Sequence, residues 1–268
     1  MEKIVVLGTG SASPTEIYNT CFILVNENNY ILVDAGGGVG IHKQLKLSNI
    51  NENDIHNIIV SHKHADHLFG VIWLIRKVDL SMSSNKYEGN LNIYCNDETA
   101  EAITIVAKAI LRKAQLKEFG NKIKINIVND KENIEIFDYN ITFYNINGQS
   151  DKQFGFYTKL KNGKNLAFCG DEPLRTENID VDFSGYDYLL HEAFCADSEA
   201  NIFKPYEKDH ATAKSAGITA EKLNVKNLIL WHTEDKDMAN RKSKYTKEAK
   251  ECFNGNVIVP NDLEIIEL

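Results

Sequence analysis

The chain has 268 residues, of which 43% are hydrophobic and 25% charged, a composition typical of a globular protein with a sizeable core. With 30 Lys and Arg against 38 Asp and Glu, the formal net charge is −8, which argues against a protein that coats nucleic acid. Five dispersed Cys without a CxxC pair favour a reducing compartment, and no apolar run is long enough for a signal peptide or a membrane span, so we expect a cytoplasmic protein.

Short β-branched runs and amphipathic stretches alternate along the chain. The first half predicts strands at 4–7, 21–25, 30–33, 58–60, 91–95 and 123–128. One predicted helix follows the glycine-rich segment 34–38 and ends at residue 45. Two others cover 68–78 and 97–117, and Asp97 is the predicted N-cap of the last one. The second half predicts strands at 134–137, 141–146, 154–160, 165–169, 188–191, 227–231, 257–259 and 263–266, with helices at 211–223 and 244–253. This order predicts an α/β protein, a four-layer α/β/β/α sandwich formed by one domain over 1–268.

Three imidazoles and a carboxylate follow the strand predicted at 58–60, in the sequence SHKHADH at 61–67. His62 and His64 are two positions apart, so in an extended chain their rings project to the same side. Asp66 and His67 follow where the chain turns into a helix. Imidazole and carboxylate ligands suit Zn²⁺ or Mn²⁺, and this loop holds three of only 8 His residues. The loop therefore predicts a metal site that presents ligands to two adjacent ions.

The HxHxDH motif, preceded by LVDAGG at 32–37, resembles the metallo-β-lactamase-fold hydrolases, and the similarity extends along nearly the whole chain. FCGD at 168–171 resembles the strand end that carries a bridging carboxylate, and LWHT at 230–233 resembles the late strand end that carries a ligating His. The resemblance implies two divalent ions, Zn²⁺ with Mn²⁺ as the alternative. The implied ligands of the first ion are His62, His64 and Asp171. Those of the second are Asp66, His67, Asp171 and His232, while Asp34 would orient the His loop without binding metal.

Two later motifs, LHEAF at 190–194 and DHATA at 209–213, resemble paired elements of ribonuclease Z, the endonuclease that trims tRNA 3′ ends. In that group Glu192 and His210 would protonate the leaving oxygen of a phosphodiester, and Asp66 would orient the attacking water or take its proton. A Glu–His hydrogen bond that only braces two loops is the alternative interpretation. The resemblance also implies a homodimer.

Two departures from the ribonuclease Z pattern narrow the prediction. The family places a metal-binding His in the middle of the chain, but no His occurs between His67 and His191, and our register puts Asn147 at that ligand position. Asp151 is the alternative ligand there. Because a neutral amide is a weak ligand, we expect the first site to bind Zn²⁺ less tightly.

Residues 147–171 also leave no room for the Gly- and Pro-rich arm with which ribonuclease Z grips tRNA, which argues against tRNA maturation.

The sequence thus predicts a metal-dependent phosphodiesterase that uses a metal-bound hydroxide to cleave an RNA end or a small or cyclic nucleotide. The missing arm favours the small substrate. A hydrolase of a lactone or thioester is one alternative, since it would not need the Glu192–His210 pair. A non-catalytic binding module with an impaired metal site is another.

The basic cluster of Arg241 and four lysines at 242–250 is interpreted as a solvated helix face, and no membrane partner is expected.

Overall fold

The computed structural model describes residues 2–149 and 151–268, which form two compact units. Unit 1 contains residues 2–8, Tyr18–Val128 and Asn261–Leu268, and unit 2 contains Thr9–Ile17 and the rest of Asn129–Pro260. Each unit has one seven-stranded sheet. The single domain over 1–268 stays a prediction. Among the described residues, no helix has the length and the apolar composition that crossing a bilayer requires.

The secondary structure follows the predicted order of elements. The strands are β1 (Glu2–Gly8), β2 (Cys21–Asn26), β3 (Asn29–Val33), β4 (Asn57–Ile59), β5 (Leu91–Cys95), β6 (Ile123–Ile127), β7 (Asn133–Ile136), β8 (Tyr139–Asn145), β9 (Phe154–Lys159), β10 (Asn165–Phe168), β11 (Tyr188–Glu192), β12 (Asn227–Trp231), β13 (Asn256–Ile258) and β14 (Ile265–Glu267). The helices are α1 (Gly40–Leu47), α2 (Ala65–Ser83), α3 (Asp97–Ile110), α4 (Ala200–Phe203), α5 (Ala213–Lys222) and α6 (Arg241–Lys250). Short 3-10 turns lie at Glu52–Asp54, Lys113–Gln115, Asp197–Glu199 and Pro205–Lys208.

The sheet of unit 1 has the strand order β14-β1-β2-β3-β4-β5-β6. Strands β14, β1, β2 and β3 pair antiparallel, whereas β3, β4, β5 and β6 run parallel. Leu32 and Ile58 from this sheet share one apolar core with Ile41, Val71 and Ile103 from α1, α2 and α3. Because parallel strands end at the same edge of a sheet, the loops after β3 and β4 meet there.

The sheet of unit 2 has the strand order β13-β12-β11-β10-β9-β8-β7. Strands β7 to β10 pair antiparallel in succession, and β10 to β13 run parallel. Helices α5 and α6 approach so closely that a Cβ at Gly217 would lie 2.6 Å from the carbonyl oxygen of Ala249, so only glycine fits there. A tight turn, in which Leu160 N–H donates to the Lys164 carbonyl at 2.7 Å, joins β9 directly to β10. The described part of 147–171 thus contains these two strands and no protruding arm, as predicted.

Three predicted helices differ from the structure by at least three residues at one end: α2 extends beyond the predicted 68–78, α6 lies three residues before the predicted 244–253, and α3 is shorter than the predicted 97–117. The helix expected over 97–117 ends at Ile110 because Leu111 is extended, and its N-cap is Asn96, whose side chain accepts the Thr99 N–H at 2.9 Å. The helix expected directly after the glycine-rich segment is α1, which begins at Gly40 and lies within two residues of its predicted bounds.

The interpretation of the basic cluster as a solvated face is wrong for Arg241, which is 1% exposed. Its guanidinium donates to the hydroxyls of Thr233 (2.9 Å) and Thr9 (3.4 Å) and to the carbonyl of Pro260 (2.6 Å). The side chain therefore connects the start of α6 to three separate segments of unit 2. Buried hydrogen bonds from a charged donor are among the stronger ones in proteins.

We expect Arg241→Met to lower the free energy of unfolding by about 2–4 kcal/mol, because it leaves buried acceptors without their donor. Urea denaturation followed by circular dichroism measures this change. Lys247→Met, at an exposed position of the same helix, is the control and should alter stability by less than about 0.5 kcal/mol. Equal effects of the two substitutions would contradict the prediction.

Candidate metal and catalytic site

Unit 1 brings the four predicted ligands of the His cluster together, on the loop after β4 and the first turn of α2. The ring centroid of His62 lies 4.4 Å from that of His64 and 4.2 Å from that of His67. The Oδ2 atom of Asp66 is 3.4 Å from Nε2 of His67. All but His64 are buried. Three imidazoles and one carboxylate therefore converge at the carboxyl end of β4.

Asp34, directly after β3, braces this loop. Its Oδ1 accepts the Ser61 N–H at 2.8 Å, and its Oδ2 accepts the Ser61 hydroxyl and Nδ1–H of His67, each at 2.8 Å. The Ser61 hydroxyl oxygen lies 3.0 Å from Nδ1 of His62, from which it accepts a hydrogen bond. Because both rings donate through Nδ1, each presents Nε2 as the atom able to bind a metal. This is the geometry that the predicted orienting role of Asp34 requires.

We expect Asp34→Ala to weaken Zn²⁺ binding about 10- to 100-fold, because His67 loses the acceptor that fixes its ring and tautomer. The measurement is a competition titration of the metal-free protein against a chromophoric chelator. Glu52→Ala is a matched control, since it removes the carboxylate that lies 2.6 Å from Nδ1 of His42, another imidazole of unit 1. If Asp34→Ala and the control bind Zn²⁺ equally well, the bracing role is wrong.

In unit 2 three candidate residues lie where the adjacent parallel strands β10, β11 and β12 end. Asp171 follows β10, Glu192 is the last residue of β11, and His232 comes directly after β12. Oδ2 of Asp171 is 3.5 Å from Nε2 of His232, and both side chains are buried. His232 has φ +55°, a conformation that costs a non-glycine residue about 1–3 kcal/mol. The next residue holds this corner, since Thr233 N–H donates to the Thr9 carbonyl at 2.9 Å.

His210, in the loop before α5, lies beside this strand edge. Its Nδ1 is 3.6 Å from Oε2 of Glu192 and donates to the backbone carbonyl of Asp171 at 3.0 Å. The ring stacks on Phe194 at a centroid distance of 4.9 Å and lies 5.4 Å from the ring of His232. The structure thus brings the predicted Glu–His pair together next to two predicted metal ligands.

The environment of the pair favours a protonated His210. Glu192 is fully buried and accepts backbone N–H groups from Phe194, at 3.1 Å, and from Ala211. Burial alone lowers the pKa of His210, but the interactions with Glu192 and Asp171 outweigh burial and raise it to about 9. An imidazole that carries a proton at neutral pH is in the state that a general acid requires.

His191, which shares the LHEAF motif with Glu192, has a structural role instead. Its Nδ1–H donates to the carbonyl of Glu192 at 2.6 Å, and its Nε2 accepts the N–H of Leu174 at 3.1 Å. Burial lowers its pKa, which agrees with a neutral ring that donates through one nitrogen and accepts through the other. His191 therefore braces the segment that follows Asp171.

Asn147, the uncertain extra ligand position, lies in an exposed loop of unit 2. Its side-chain amide donates to the carbonyl of Asn178 at 2.7 Å, and its backbone N–H donates to Oδ1 of Asn145 at 3.0 Å. With φ +53°, it stands at a sharp change of chain direction after β8. Its amide nitrogen is engaged in a loop contact, and its role as an extra ligand stays a prediction.

A buried polar cluster next to Asp171 escaped the sequence analysis. Glu172 is 2% exposed and accepts the Gln149 N–H and the Gln153 side-chain amide, each at 3.0 Å. Arg175 forms an ion pair with Asp209 and lies 3.8 Å from Glu172. The only local signal in the sequence is the pair of acidic residues after β10, which by itself is ordinary turn composition. The cluster fixes Asp209, the residue before His210.

The donors in each unit are of the kinds that bind divalent first-row metal ions. Unit 1 supplies three imidazoles and one carboxylate, and unit 2 supplies a carboxylate and an imidazole within 3.5 Å of each other. Mixed imidazole and carboxylate sets of this kind suit Zn²⁺ and Mn²⁺, and hydrogen bonds through the opposite ring nitrogen are typical of metal-binding His. The ligand chemistry therefore agrees with the predicted cofactors.

These sheets, with His and Asp residues at their parallel strand ends, define a protein of the metallo-β-lactamase fold. Solved structures confirm this predicted fold class. The metallo-β-lactamase fold protein YhfI from Bacillus subtilis superposes with a TM-score of 0.78 at 19% identity, over 98% of each chain. Human short-form tRNase Z superposes with a TM-score of 0.73 at 19% identity, over 99% of this chain and 98% of that one.

Sequence comparison places the chain in a family. The chain belongs to the family described as Anti-Pycsar protein Apyc1, whose model matches residues 2–244. It is also 27% identical to ribonuclease Z of Enterococcus faecalis (strain ATCC 700802 / V583), over 99% of this chain and 97% of that protein. The resemblance to ribonuclease Z is thus confirmed as distant homology. The 320 aligned positions exceed the 268 residues of this chain, so that relative contains segments without a counterpart here.

Proposed function

We propose that the protein is a metal-dependent phosphodiesterase that hydrolyses a cyclic nucleotide. The observation that carries this proposal is the Glu192–His210 pair, whose imidazole lies 3.6 Å from a buried carboxylate and beside Asp171 and His232. The leaving oxygen of a nucleotide phosphodiester is an alkoxide, which departs slowly unless a proton reaches it. A thioester has a good leaving group and would not need this pair.

We propose further that the protein binds two divalent ions, Zn²⁺ or Mn²⁺. The proposed ligands are His62, His64, Asp66 and His67 from unit 1, and Asp171 and His232 from unit 2. Ions held by such ligands supply an activated water at neutral pH and neutralise charge on the phosphate oxygens. Asp66 would orient this water and accept its proton, and His210, held by Glu192, would deliver a proton to the leaving oxygen.

Three observations support a small substrate: the described part of 147–171 has no protruding arm, the chain is acidic, and the chain belongs to the Apyc1 family. The tight turn between β9 and β10 replaces the arm expected of a tRNA-processing enzyme. The net charge of −8 disfavours broad contact with long nucleic acid. Membership of the Apyc1 family supports a cyclic nucleotide. An RNA end is the second candidate, favoured by the 27% identity to ribonuclease Z.

The test combines metal content with parallel assays of the purified protein. Mass spectrometry should find about two metal ions per chain after incubation with Zn²⁺ or Mn²⁺. The loaded protein should hydrolyse 3′,5′-cyclic nucleotides and bis-p-nitrophenyl phosphate, and should leave a tRNA precursor intact. Cleavage of the precursor alone would favour the second candidate. Turnover of a thioester or lactone alone, or failure to bind metal, would overturn the proposal.

A further inference from the structure

A cavity of about 270 Å³ opens in unit 2 beside His210. Its walls include Tyr206, Arg175, Gln149 and Ser215. This volume lies just below the usual range for pockets that hold a whole small ligand, about 300–1,000 Å³, so it fits one part of a ligand. Because the proposed proton donor lines it, the cavity lies where the leaving side of a substrate would extend.

Tyr206 offers a fixed aromatic face on this wall. It stands in the 3-10 turn Pro205–Lys208, which Lys204 (φ +52°) and Asp209 (φ +60°) flank in the left-handed conformation. Its hydroxyl donates to Oδ1 of Asp197 at 3.1 Å, yet Tyr206 is 63% exposed. A ring held at its hydroxyl end and otherwise open to solvent is available for stacking.

Arg175 offers a second flat face. Both of its terminal nitrogens lie against the carboxylate of Asp209, and Nη1 is also 3.8 Å from Glu172. This arrangement fixes the plane of the guanidinium, and the nitrogens along its edge are engaged with the two carboxylates. A guanidinium with an occupied edge interacts with further groups through its face, on which aromatic rings stack.

We propose that this cavity binds the base of the cyclic nucleotide, with Tyr206 and Arg175 as stacking faces. Gln149 brings a hydrogen-bonding side chain to the same cavity, which suits the polar edge of a base. The inference rests on the proposed function, because it takes His210 as the donor to a leaving oxygen on the ribose that carries the base. Tyr206 is then a specificity-determining residue for substrates that contain an aromatic base.

The test compares a cyclic nucleotide with ribose 3′,5′-cyclic phosphate, which lacks the base. Stacking on an aromatic side chain contributes roughly 1–3 kcal/mol per base, so we expect Tyr206→Ala to raise KM for the nucleotide about 10-fold with little change in kcat. The same variant should leave KM for the abasic compound unchanged, and Tyr206→Phe, which keeps the ring but loses the hydroxyl contact with Asp197, should raise KM for the nucleotide less than Tyr206→Ala does. Ile202→Ala, at a 74% exposed position on α4, is the matched control and should change neither constant.

A binding measurement separates this inference from the proposed function. Calorimetry should show that a nucleoside 5′-monophosphate binds the metal-loaded protein more tightly than ribose 5-phosphate does. Tyr206→Ala should remove that difference, whether or not the protein hydrolyses any phosphodiester. Thermal melting of each variant verifies that it is folded. If Tyr206→Ala affects compounds with and without the base equally, or affects neither, the inference is overturned.

Discussion

Asp66→Asn is expected to lower kcat/KM for a phosphodiester by about 10³-fold or more while the fold is retained. Asp66 lies at the first turn of α2, where its carboxylate is 3.4 Å from Nε2 of His67. The substitution keeps the shape of the side chain but removes its charge. The proposed site then loses both a ligand and the group that would accept the proton of the attacking water.

The measurement is steady-state kinetics on bis-p-nitrophenyl phosphate at saturating Zn²⁺ or Mn²⁺, together with thermal melting of the metal-free protein. Asp54→Asn makes the same chemical change at an exposed position of unit 1 and should keep full activity. If Asp66→Asn melts like the wild type and retains more than about a tenth of the wild-type activity, Asp66 does not have this role.

The predicted strands and the clustering of the His loop depend on signals that are local in the sequence. His62, His64, Asp66 and His67 lie within one loop, so their convergence follows from the strand and helix that flank it. Asp171 and His232 were predicted only through the resemblance to the metallo-β-lactamase-fold hydrolases, and the structure places them at the carboxyl ends of the parallel strands β10 and β12. Short runs of β-branched and other apolar residues located the strands to within two residues, because strands such as β2, β4 and β11 are buried on both faces.

The features that sequence reasoning missed depend on contacts between distant segments. The sequence predicts that Arg241 is part of a solvated basic helix face, but its side chain is buried. Its hydrogen-bond acceptors include Thr9, which lies 232 positions earlier, and Pro260. Arg175 and Asp209 likewise meet only because the loops after β10 and before α5 come together in the fold. No periodicity or motif encodes such pairs, so neither the buried cluster nor the cavity beside it was predictable.

Left-handed backbone conformation occurs at a site-related residue in each unit, among twelve described non-glycine residues with positive φ. Asp34 has φ +54° and His232 has φ +55°, although neither is glycine. Asp and His both adopt this conformation more often than most non-glycine residues do. In each case the strained residue directly follows a parallel strand and turns a polar side chain toward the strand edge. Such strain persists where the fold fixes the position of a side chain, which agrees with the bracing role of Asp34 and the proposed ligand role of His232.

His210→Ala should separate catalysis from bracing because its effect should depend on the leaving group. For a cyclic nucleotide, whose leaving alkoxide needs a proton, we expect a loss of about 10²–10⁴-fold in kcat. For bis-p-nitrophenyl phosphate, whose nitrophenolate leaves without protonation, the loss should be less than about 10-fold. Glu192→Gln should show the same substrate dependence with a smaller loss, since the imidazole remains in place without its charged partner.

The bracing interpretation predicts a different result for the same variants. If Glu192 and His210 only hold two loops together, their substitution displaces Asp171, whose carbonyl accepts the Nδ1–H of His210 at 3.0 Å. Both substrates would then lose activity by the same factor, together with metal affinity. Measuring kcat for the two substrates and the Zn²⁺ affinity of each variant therefore decides between the two roles. A loss confined to the cyclic nucleotide, at unchanged Zn²⁺ affinity, identifies His210 as the proton donor.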